Sequence, residues 1–557
     1  MSISFILQAL LVFLWTLAIV FFVLHRGRAY LMYFQQEEYD GSRFRHWLKD
    51  RHGRDRLTSL AAILAGGLSF GAAYGLSWLD TPALMILIAG LYEGFRRSRK
   101  ALLTAKKPLV STERARRILA VYLALMAFLG SGFLIIAHWQ PVPLIAMLVL
   151  FSLIAAQIAP YALLAANRLL SPFEQRVKAR YLGEAKEKLA HLQPYIIAIT
   201  GSYGKTSTKS ILAHILSSAA PTLATPGSIN TDMGITRVVR EQLKPDHRYF
   251  IVEMGAYGPG SIARLCRLAP PKLAIITAVG WAHYERFKTV DRVFDAKFEM
   301  ADAARANGGK TIVNRDAVPQ NKLDERLSRD DSLILVKTNP HAEAVHETIT
   351  GLSVQSAKQD RDGISLVING SDFGEISLRA PLYGLHQGQN IACATAAALQ
   401  MGMPISSIKA ALATVPQSRH RLEVIEAKGI TIIDDAYNSN PSGFASGLEL
   451  LDILQKPGGR RLLITPGMVE LGSRHDEEHR TLGELAGQHV DIALIVTPER
   501  ILSFIEGFNS RKNDQAQLLR FATQDEAQNW IKDHARADDV ILYENNLPDL
   551  YEQLPGF

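Results

Sequence analysis

The sequence predicts an α-helical, membrane-spanning region followed by two α/β regions. Long apolar segments occupy roughly the first 170 residues, and after about residue 195 short strand-like runs alternate with helical ones. A glycine loop also stands between the first of these strands and the helix that follows it. We predict four segments along the chain: a transmembrane region at 1–170, a connecting helix at 171–194, a nucleotide-binding α/β domain at 195–416 and a C-terminal Rossmann-like α/β domain at 417–557.

The five predicted membrane spans share a run of apolar residues, at about 3–24, 57–78, 80–95, 117–137 and 142–167. Most of them approach the ~20 residues that a helix needs to cross a bilayer. The loops after the first and third spans are rich in Lys and Arg, whereas the short connections at 80–81 and 138–143 contain neither. Since positively charged loops stay in the cytoplasm, we predict that the N-terminus lies outside and that everything after about residue 170 is cytoplasmic.

The composition excludes some classes of protein. A formal net charge of +7 could indicate a nucleic-acid partner, but much of the excess of Lys and Arg flanks the apolar segments. Membrane topology therefore explains the charge, and we expect no nucleic-acid partner. Cys266 and Cys393, far apart in sequence, offer neither a disulfide framework nor metal-ligand spacing, which is typical of a reducing compartment.

The part of the chain after the apolar region has the pattern of parallel sheets covered by helices. Residues 172–193 are charged with a sparse apolar stripe and predict the connecting helix. Residues 335–380 alternate as β-strands do and predict an antiparallel flap on the first α/β domain. The predicted strands of the two α/β domains are short apolar runs, at 195–199, 250–252, 274–276, 311–313, 431–433, 462–464 and 493–496.

The most informative stretch is the loop between the strand at 195–199 and the helical pattern at 209–216. Its predicted phosphate-binding residues are Gly201, Ser202, Tyr203, Gly204, Lys205, Thr206 and Ser207. Glycines let backbone N–H groups approach phosphates, and the helix N-terminus adds a positive field. In such loops the lysine reaches the terminal phosphates and the threonine hydroxyl ligates Mg²⁺. Ile199 stands six positions before Lys205, so the spacing is GxxGKT; a chance Gly-Lys-Thr turn is the plain alternative.

Three further side chains follow predicted strands or lie in a helical run. Glu253 ends a strand, where a carboxylate can hold Mg²⁺ at the carboxyl edge of a sheet. His283 comes just after another strand, and Lys297 lies in a short helical segment. Taken singly, such a histidine is more often structural and such a lysine is usually solvated.

Several short motifs resemble one known family. The run from Asp434 to Pro441, DDAYNSNP, is close to the DDSYNANP run of one branch of the Mur ligases. Six further matches occur in the family's order, at 230–234, 253–256, 282–285, 296–299, 384–390 and 468–472. The chain therefore resembles the Mur ligases, ATP-dependent amide-forming enzymes of peptidoglycan synthesis. It is most similar to the branch that adds D-alanyl-D-alanine to the UDP-muramoyl tripeptide.

The resemblance implies roles for individual residues. Lys205 and the loop amides would hold the β- and γ-phosphates of ATP, and Thr206 and Glu253 would ligate one Mg²⁺. His283 and Lys297 would serve a second Mg²⁺, with Lys297 carboxylated by CO₂, because a carbamate supplies the anionic oxygen that Mg²⁺ prefers. The residues implied at the adenine, ribose and phosphates of the nucleotide are Asn314, His386, Asn390, Arg421, Asp435, Tyr437 and Asn438.

The implied reaction is carboxylate activation. The γ-phosphoryl group of ATP passes to a substrate carboxylate, and an amine then attacks the acyl phosphate and releases phosphate. Stabilisation of phosphoryl charge by Lys205 and the cations would carry most of the catalysis. Closure of the last domain would exclude water from the acyl phosphate.

The chain departs from the family at both ends of the ligase region. The membrane region stands where the family carries a domain that grips the UDP part of its substrate. At 540–549 the chain has Glu and Asn where this branch has a basic Lys-Gly-Ser-Arg run. We therefore expect a ligase at the bacterial inner membrane, multi-pass, with cytoplasmic catalytic domains. It would join a lipid-linked or polymer carboxylate, presented at the bilayer, to an amino-acid or dipeptide amine in cell-wall or surface-polymer synthesis.

Other interpretations stay open at this point. A membrane-tethered synthase of a poly-amino-acid capsule would carry much the same residues. A different class is an ATP-driven transporter, or a scaffold that has lost its chemistry. Charged or helix-breaking residues inside the spans would favour a transporter, and a scaffold should have lost a metal ligand, whereas all four implied ligands are present. The residues do not indicate an oligomeric state.

Overall fold

The computed structural model describes residues 3–50, 55–105, 107–139, 143–280, 287, 289–340, 351–436, 440–469 and 471–545. The chain forms two compact units, whose described parts lie within residues 1–178 and 179–546. The first unit is helical and the second is α/β. This agrees with the order of helical and α/β regions predicted from the sequence, although the exact domain boundaries stay predictions.

The first unit packs its helices around one apolar core. Its helices are α1 (Ile3–Gln36), α2 (Gly41–Asp50), α3 (Arg56–Ala73), α4 (Asp80–Thr104), α5 (Glu113–Trp139) and the first part of α6 (Leu144–Leu192). Helix α4 packs along both α1 and α3. Helix α6 joins the last predicted span and the predicted connecting helix in one element that continues through Pro160 and Pro172.

Four of these helices, α1, α3, α5 and α6, are long and apolar enough to cross a membrane, by length and composition. The remaining predicted span, at 80–95, lies in α4, which is not among the four. This helix contains Glu93, Arg96 and Arg97, and both arginines pair with Glu93. The count of five spans therefore stays a prediction. Many side chains on these helices are large, apolar and exposed, for example Phe13, Ile63 and Phe128.

The second unit begins with a six-stranded parallel sheet of order β2-β3-β1-β4-β5-β6. Its strands are β1 (Tyr195–Thr200), β2 (Thr222–Ala224), β3 (Tyr249–Glu253), β4 (Leu273–Ile276), β5 (Lys310–Asn314) and β6 (Leu333–Val336). Side chains alternate between the two faces: Ile196 and Ala198 join one apolar cluster, and Ile197 and Ile199 join the other. Helices therefore cover both faces, as the apolar runs predict.

The helices of this sheet are α7 (Lys205–Ser217), α8 (Asp232–Gln242), α9 (Ser261–Leu268), α10 (Val290–Ala306), α11 (Gln320–Leu327), α12 (Gln387–Gln400) and α13 (Ile405–Leu412). An antiparallel sheet of order β7-β8-β9 follows β6 and confirms the predicted flap. Its strands are β7 (Leu352–Asp360), β8 (Gly363–Gly370) and β9 (Gly374–Ala380). Strand β6 itself belongs to the parallel sheet, because it pairs with β5.

A second six-stranded sheet, of order β10-β11-β15-β12-β13-β14, forms the C-terminal part of the unit. All its neighbours pair in parallel except β10 and β11. Its strands are β10 (Glu423–Ala427), β11 (Ile430–Asp435), β12 (Arg461–Thr465), β13 (Ile492–Val496), β14 (Gln517–Phe521) and β15 (Val540–Glu544). Its helices are α14 (Pro441–Leu454), α15 (His475–His489), α16 (Leu502–Arg511) and α17 (Gln524–His534).

Helices α15 and α16 cross so closely that glycine is required at the contact. A Cβ added to Gly483 would lie 2.1 Å from the carbonyl oxygen of Phe504, and one on Gly507 would lie 2.2 Å from that of Arg480. Backbone atoms cannot give way as the end of a flexible side chain can. The two glycines therefore set the separation of these helices on the second sheet.

We predict that Gly483→Ala destabilises the protein by about 1–3 kcal/mol, because the helices must move apart. Gly183→Ala is the matched control: Gly183 lies in α6 with no atom within 4 Å of an added Cβ. That change should be neutral or stabilise slightly, since alanine favours helix. Urea unfolding of the full chain in detergent, followed by circular dichroism, measures both. Equal midpoints for the two variants would contradict the close crossing.

Candidate nucleotide and metal site

The loop between β1 and α7 folds so that only glycine fits at two positions. A Cβ on Gly201 would lie 1.9 Å from Thr277 Oγ1. Gly204 begins the helix at φ +80°, and a Cβ there would lie 2.3 Å from Asn390 Oδ1. Ser202 fastens the loop to the segment after β4, since its amide donates to the Ala278 carbonyl at 2.8 Å. The backbone is therefore held in the open curve that a phosphate loop needs.

Lys205, the first residue of α7, turns back across this loop. Its Nζ donates to the Gly201 carbonyl oxygen at 2.8 Å. Burial lowers the pKa of Lys205; the nearby Glu253 carboxylate opposes this shift, and the charges of Arg421 and Lys209 add to it. The ammonium thus lies over the loop in a crowded positive environment.

Glu253 is the centre of the site. The parallel register places it beside Ile199, one residue before the end of β1. Its side chain is 1% exposed and accepts three hydrogen bonds, from Thr206 Oγ1 and Lys209 Nζ at 2.9 Å each and from Asn230 Nδ2 at 3.2 Å. Its own amide donates to Thr225 Oγ1 at 3.1 Å. Through its side chain and its amide, Glu253 therefore joins three segments of the chain: the end of β3, the start of α7 and the stretch between β2 and α8.

The oxygen atoms of Thr206 and Glu253 fit a magnesium ion. A hydroxyl and a carboxylate oxygen, 2.9 Å apart at the carboxyl edge of the sheet, are hard donors of the kind that Mg²⁺ takes from proteins alongside phosphate oxygens. Lys209 supplies the positive charge that balances the same carboxylate. His283, implied as a ligand of a second ion, lies outside the described residues.

Lys297 lies in α10 and is 3% exposed. Burial, together with the positive charge of Lys205, lowers its pKa well below the ordinary range of a lysine. A lowered pKa favours the neutral form of the amine, which is the nucleophilic form. The structure thus brings Lys297 into electrostatic contact with the phosphate loop, although the two residues are far apart in sequence.

The residues implied at the base and ribose lie at the start of α12 and at the end of β5. Asn390 Oδ1 accepts a hydrogen bond from Thr208 Oγ1 at 3.1 Å, which joins α12 to α7. Asn314 is fully buried, and its Oδ1 accepts from Thr338 Oγ1 at 2.7 Å. Burial, together with the charge of Arg421, lowers the pKa of His386 to about 4. Its Nδ1 lies 3.2 Å from the Ser446 hydroxyl of the C-terminal sheet's first helix.

Arg421 and Asp435 lie after the domain boundary predicted at residue 416, in the C-terminal part of the unit. Arg421 lines a small cavity of about 10 Å³ together with Ser207 of α7 and Gln387 of α12. Asp435 ends β11 and accepts the amide of Leu422 at 3.1 Å. Burial raises the pKa of Asp435 to about 7, and the Leu422 amide and Arg421 oppose that shift. Tyr437 and Asn438, also implied at the nucleotide, lie outside the described residues.

Sequence reasoning did not assign a role to Lys209, Asn230 or Tyr257. Tyr257 donates its hydroxyl to Asn230 Oδ1 at 2.6 Å, which orients the amide that Asn230 offers to Glu253. The spacing of Lys205 and Lys209 was an available signal, because residues four apart share a helix face. Asn230 stands in one of the family motifs, but its contact with Glu253 depends on the folding of the segment between β2 and α8.

The two α/β parts match known domains. Residues 199–398 match the Mur ligase middle domain, and residues 420–544 match the Mur ligase, glutamate ligase domain. These two matches cover more than half of the chain. The chain belongs to the Mur ligase family. The predicted resemblance, and the fold class that it implied for the α/β parts, are thereby confirmed.

The relatives are of the branch indicated by the sequence motifs. The UDP-N-acetylmuramoyl-tripeptide–D-alanyl-D-alanine ligase of Mycobacterium leprae is 33% identical over 319 residues, 54% of this chain and 60% of that protein. The enzyme of the same name from Escherichia coli is 31% identical over 292 residues, 52% of this chain and 62% of that protein. The chain thus spans about three fifths of the length of these relatives.

Solved structures agree with this assignment. A MurF structure from Acinetobacter baumannii is 26% identical, covers 67% of this chain and 78% of its own, and superposes with a TM-score of 0.58. The MurF ligase of Thermotoga maritima in complex with ADP is 24% identical and shares the fold, with a TM-score of 0.55 over 68% of this chain and 82% of its own. The chain therefore has the Mur ligase fold in its second unit.

We predict that Lys209→Met destabilises the magnesium-free protein by about 3 kcal/mol, because it leaves the buried Glu253 carboxylate without its cation. Mg²⁺ should restore more stability to this variant than to the wild type, since the ion supplies the missing charge. Thermal unfolding in EDTA and in Mg²⁺ measures both effects. Lys209→Arg is the control and should stay closer to the wild type. Equal unfolding temperatures for the methionine variant and the wild type in EDTA would contradict this reading of Lys209.

We also predict that Asp435 makes stability depend on pH. Its pKa rises from the ordinary value of 3.8 to about 7 on folding, so the folded state holds the proton more tightly. The resulting stabilisation is complete below about pH 4 and is lost as the pH rises to about 7. Asp435→Asn, which keeps the oxygen that accepts the Leu422 amide, should gain stability relative to wild type across this range. A difference in unfolding temperature that stays constant from pH 4 to pH 8 would refute the shift.

Proposed function

We propose that this protein is a membrane-anchored, ATP-dependent ligase that activates a carboxylate as an acyl phosphate and joins it to an amine. The amine is an amino acid or a dipeptide, and the product belongs to the cell wall or to a surface polymer. The carboxylate substrate is presented at the membrane. The relatives named above join a muramoyl tripeptide to D-alanyl-D-alanine, which supports this reaction class for the chain.

One observation carries the proposal: a phosphate loop and a metal-type carboxylate lie at one edge of one sheet, and the charge of Lys205 in that loop acts on the buried Lys297. Lys205 crosses the loop, Glu253 lies 2.9 Å from the hydroxyl of Thr206, and the charge of Lys205 acts on Lys297. A loop that only bound nucleotide would not need a buried lysine of lowered pKa near it. A ligase needs such a group to organise charge around the transferred phosphoryl group.

The residues divide the work as follows. Loop amides and Lys205 bind the β- and γ-phosphates of ATP and stabilise the charge on the phosphoryl group in the transition state of its transfer. Mg²⁺ held by Thr206 and Glu253 supplies further positive charge at the phosphates when it is bound. Asn390, His386 and Asn314 belong to the side of the base and ribose.

Lys297 is proposed to carry a carbamate formed with CO₂. The reaction requires a neutral amine, and burial together with the charge of Lys205 lowers the pKa of Lys297 and so favours that form. The carbamate converts a group that would repel a metal ion into an oxygen ligand. His283 is proposed as its companion at a second Mg²⁺.

The C-terminal part is proposed to complete the site. Arg421 and Asp435 lie after the predicted domain boundary at residue 416. Arg421 nevertheless lines the same small cavity as Ser207 of α7. A cation from the last domain can contact the phosphates only when the two domains meet, so binding and exclusion of water are coupled. Tyr437 and Asn438 are proposed to lie nearby.

The first unit supports the proposed membrane anchoring. Four helices have the length and composition of membrane spans, and their outer faces carry large apolar side chains. Exposed apolar surface of this extent marks a membrane or a protein interface. With the N-terminus outside and Arg- and Lys-rich loops inside, the ATP-binding domains lie in the cytoplasm, at the inner membrane of a bacterium.

We predict that Lys297→Ala lowers ATP-dependent turnover by about a hundredfold or more, because it removes a group that organises the phosphoryl site. Phosphate release by the full-length protein in detergent, supplied with UDP-muramoyl tripeptide, D-alanyl-D-alanine and a total bacterial lipid extract, measures it. Short-chain carboxylic acids should partly restore the alanine variant and should not restore Lys297→Arg, which leaves no space. Unchanged turnover of Lys297→Ala would remove the carbamate from the mechanism.

The presentation of the substrate has its own test. Cells that lack this protein should lose one amino-acid or dipeptide substituent from a lipid-linked or polymeric cell-surface fraction, detected by mass spectrometry. Loss confined to a soluble UDP-linked precursor would contradict a membrane-presented carboxylate.

A further inference from the structure

A cavity of about 900 Å³ lies in the helical unit, between α2, the start of α3 and the middle of α6. This volume is within the range of small-molecule binding sites in proteins. Its lining joins two kinds of side chain, cations and apolar groups, of which the most telling are Arg45, Lys49, Arg56, Leu60, Ile63 and Tyr161.

The charge of this cavity is positive. The carboxylate in its lining is that of Asp55, which is buried and already bound. Its Oδ2 accepts from Arg26 at 2.7 Å, and its Oδ1 accepts from the amide of Thr58 at 2.9 Å, so that it caps α3. Arg45, Lys49 and Arg56 form no ion pair with any carboxylate in the part of the chain that the structure describes. Three cations therefore face the cavity without a matching negative charge.

The floor of the cavity is fixed by buried polar contacts. Gln157 of α6 donates from Nε2 to the backbone carbonyl of Asp55 at 2.8 Å and to the hydroxyl of Ser59 at 2.6 Å. The pair between Arg26 and Asp55, both almost completely buried, ties α1 to the same point. Polar and ionic groups buried among apolar helices are costly, and in membrane proteins they mark functional positions. The cations are thus held around a rigid base.

The mouth of the cavity is apolar. Leu60 and Ile63 on α3 and Tyr161 on α6 are each more than half exposed, at 52%, 60% and 58%. Both helices are long and apolar enough to cross a membrane. A soluble anion would gain nothing from these side chains, and a plain hydrocarbon would gain nothing from three cations. The combination fits a molecule with an anionic head and a hydrocarbon chain.

We propose that this cavity binds the phosphate or diphosphate headgroup of a membrane lipid, with the lipid chain lying along Leu60, Ile63 and Tyr161. Arg45, Lys49 and Arg56 contact the phosphate oxygens. The inference rests on the membrane location in the proposed function. It deepens that function, because a protein can hold a membrane-presented carboxylate substrate by binding the phosphate of its lipid. These cations lie in the connection between the first two predicted spans, which is expected on the cytoplasmic side.

Direct binding tests the site without relying on catalysis. The full-length protein in maltoside micelles is titrated with dioleoyl phosphatidate, dioleoyl phosphatidylcholine and inorganic diphosphate, and affinity is measured by microscale thermophoresis. The variant Arg45→Gln/Lys49→Gln leaves the buried pair of Arg26 and Asp55 intact. The matched control Arg99→Gln/Arg176→Gln removes the same charge from exposed positions outside the cavity.

We expect phosphatidate to bind more tightly than the other two probes, and the Arg45/Lys49 variant to bind it about thirtyfold more weakly. The control should bind as the wild type does. Equal losses in both variants, equal binding of phosphatidylcholine, or binding of inorganic diphosphate as tight as that of phosphatidate would overturn the lipid site. ATP turnover, measured on the same preparations, separates the two proposals: lost lipid selectivity with normal turnover contradicts only the lipid site.

Discussion

The buried carboxylate of Glu253 is the interaction on which the site depends. A carboxylate removed from water is costly unless it is paired and hydrogen-bonded. Here Thr206, Lys209 and Asn230 satisfy it, and its backbone amide is satisfied by Thr225. The start of α7, the segment before α8 and the end of β3 are therefore fixed against one another. That arrangement fixes the helix with which the phosphate loop ends.

Three cationic side chains, those of Lys205, Lys209 and Arg421, lie near the Glu253 carboxylate, which can balance only one of them. The pKa values of Lys205 and Lys209 are lowered by burial and further by Arg421, and that of Lys297 is lowered by burial and by Lys205. Like charges held together store repulsion that a polyanion relieves. The same positive charge of Lys205 that a polyanion would offset also lowers the pKa of Lys297.

The helical unit also has a buried carboxylate that joins separate segments, that of Asp55. The ion pair of Arg26 and Asp55 is buried, caps α3 and joins α1, α3 and α6 through Gln157. The Asp55 carboxylate is bound by Arg26 and by the amide of Thr58, and the cations Arg45 and Lys49 line the cavity beside it. In both units a buried, hydrogen-bonded carboxylate joins separate segments of the chain, and cationic side chains lie near it.

The sequence by itself determined the local elements, because they depend on neighbouring residues. Apolar runs predicted strands β1, β3, β4, β5, β11, β12 and β13, and the alternating pattern at 335–380 predicted the antiparallel flap. The glycines of the loop indicated where the backbone can approach phosphate. Motif order was sufficient for the family and for Lys205, Thr206, Glu253 and Lys297 as site candidates, while His283, Tyr437 and Asn438 lie outside the described residues.

Only the tertiary structure decided which distant groups meet. The pairing of Lys209 with Glu253, the approach of Arg421 to Ser207 and the cationic cavity between α2, α3 and α6 join segments far apart in the chain. Such contacts depend on strand order, on parallel register and on helix packing. In the first sheet β1 lies between β3 and β4, so Glu253 is brought beside the loop. Local sequence patterns do not specify the order of the strands in the sheet. That order depends on how the strands and helices pack into one core.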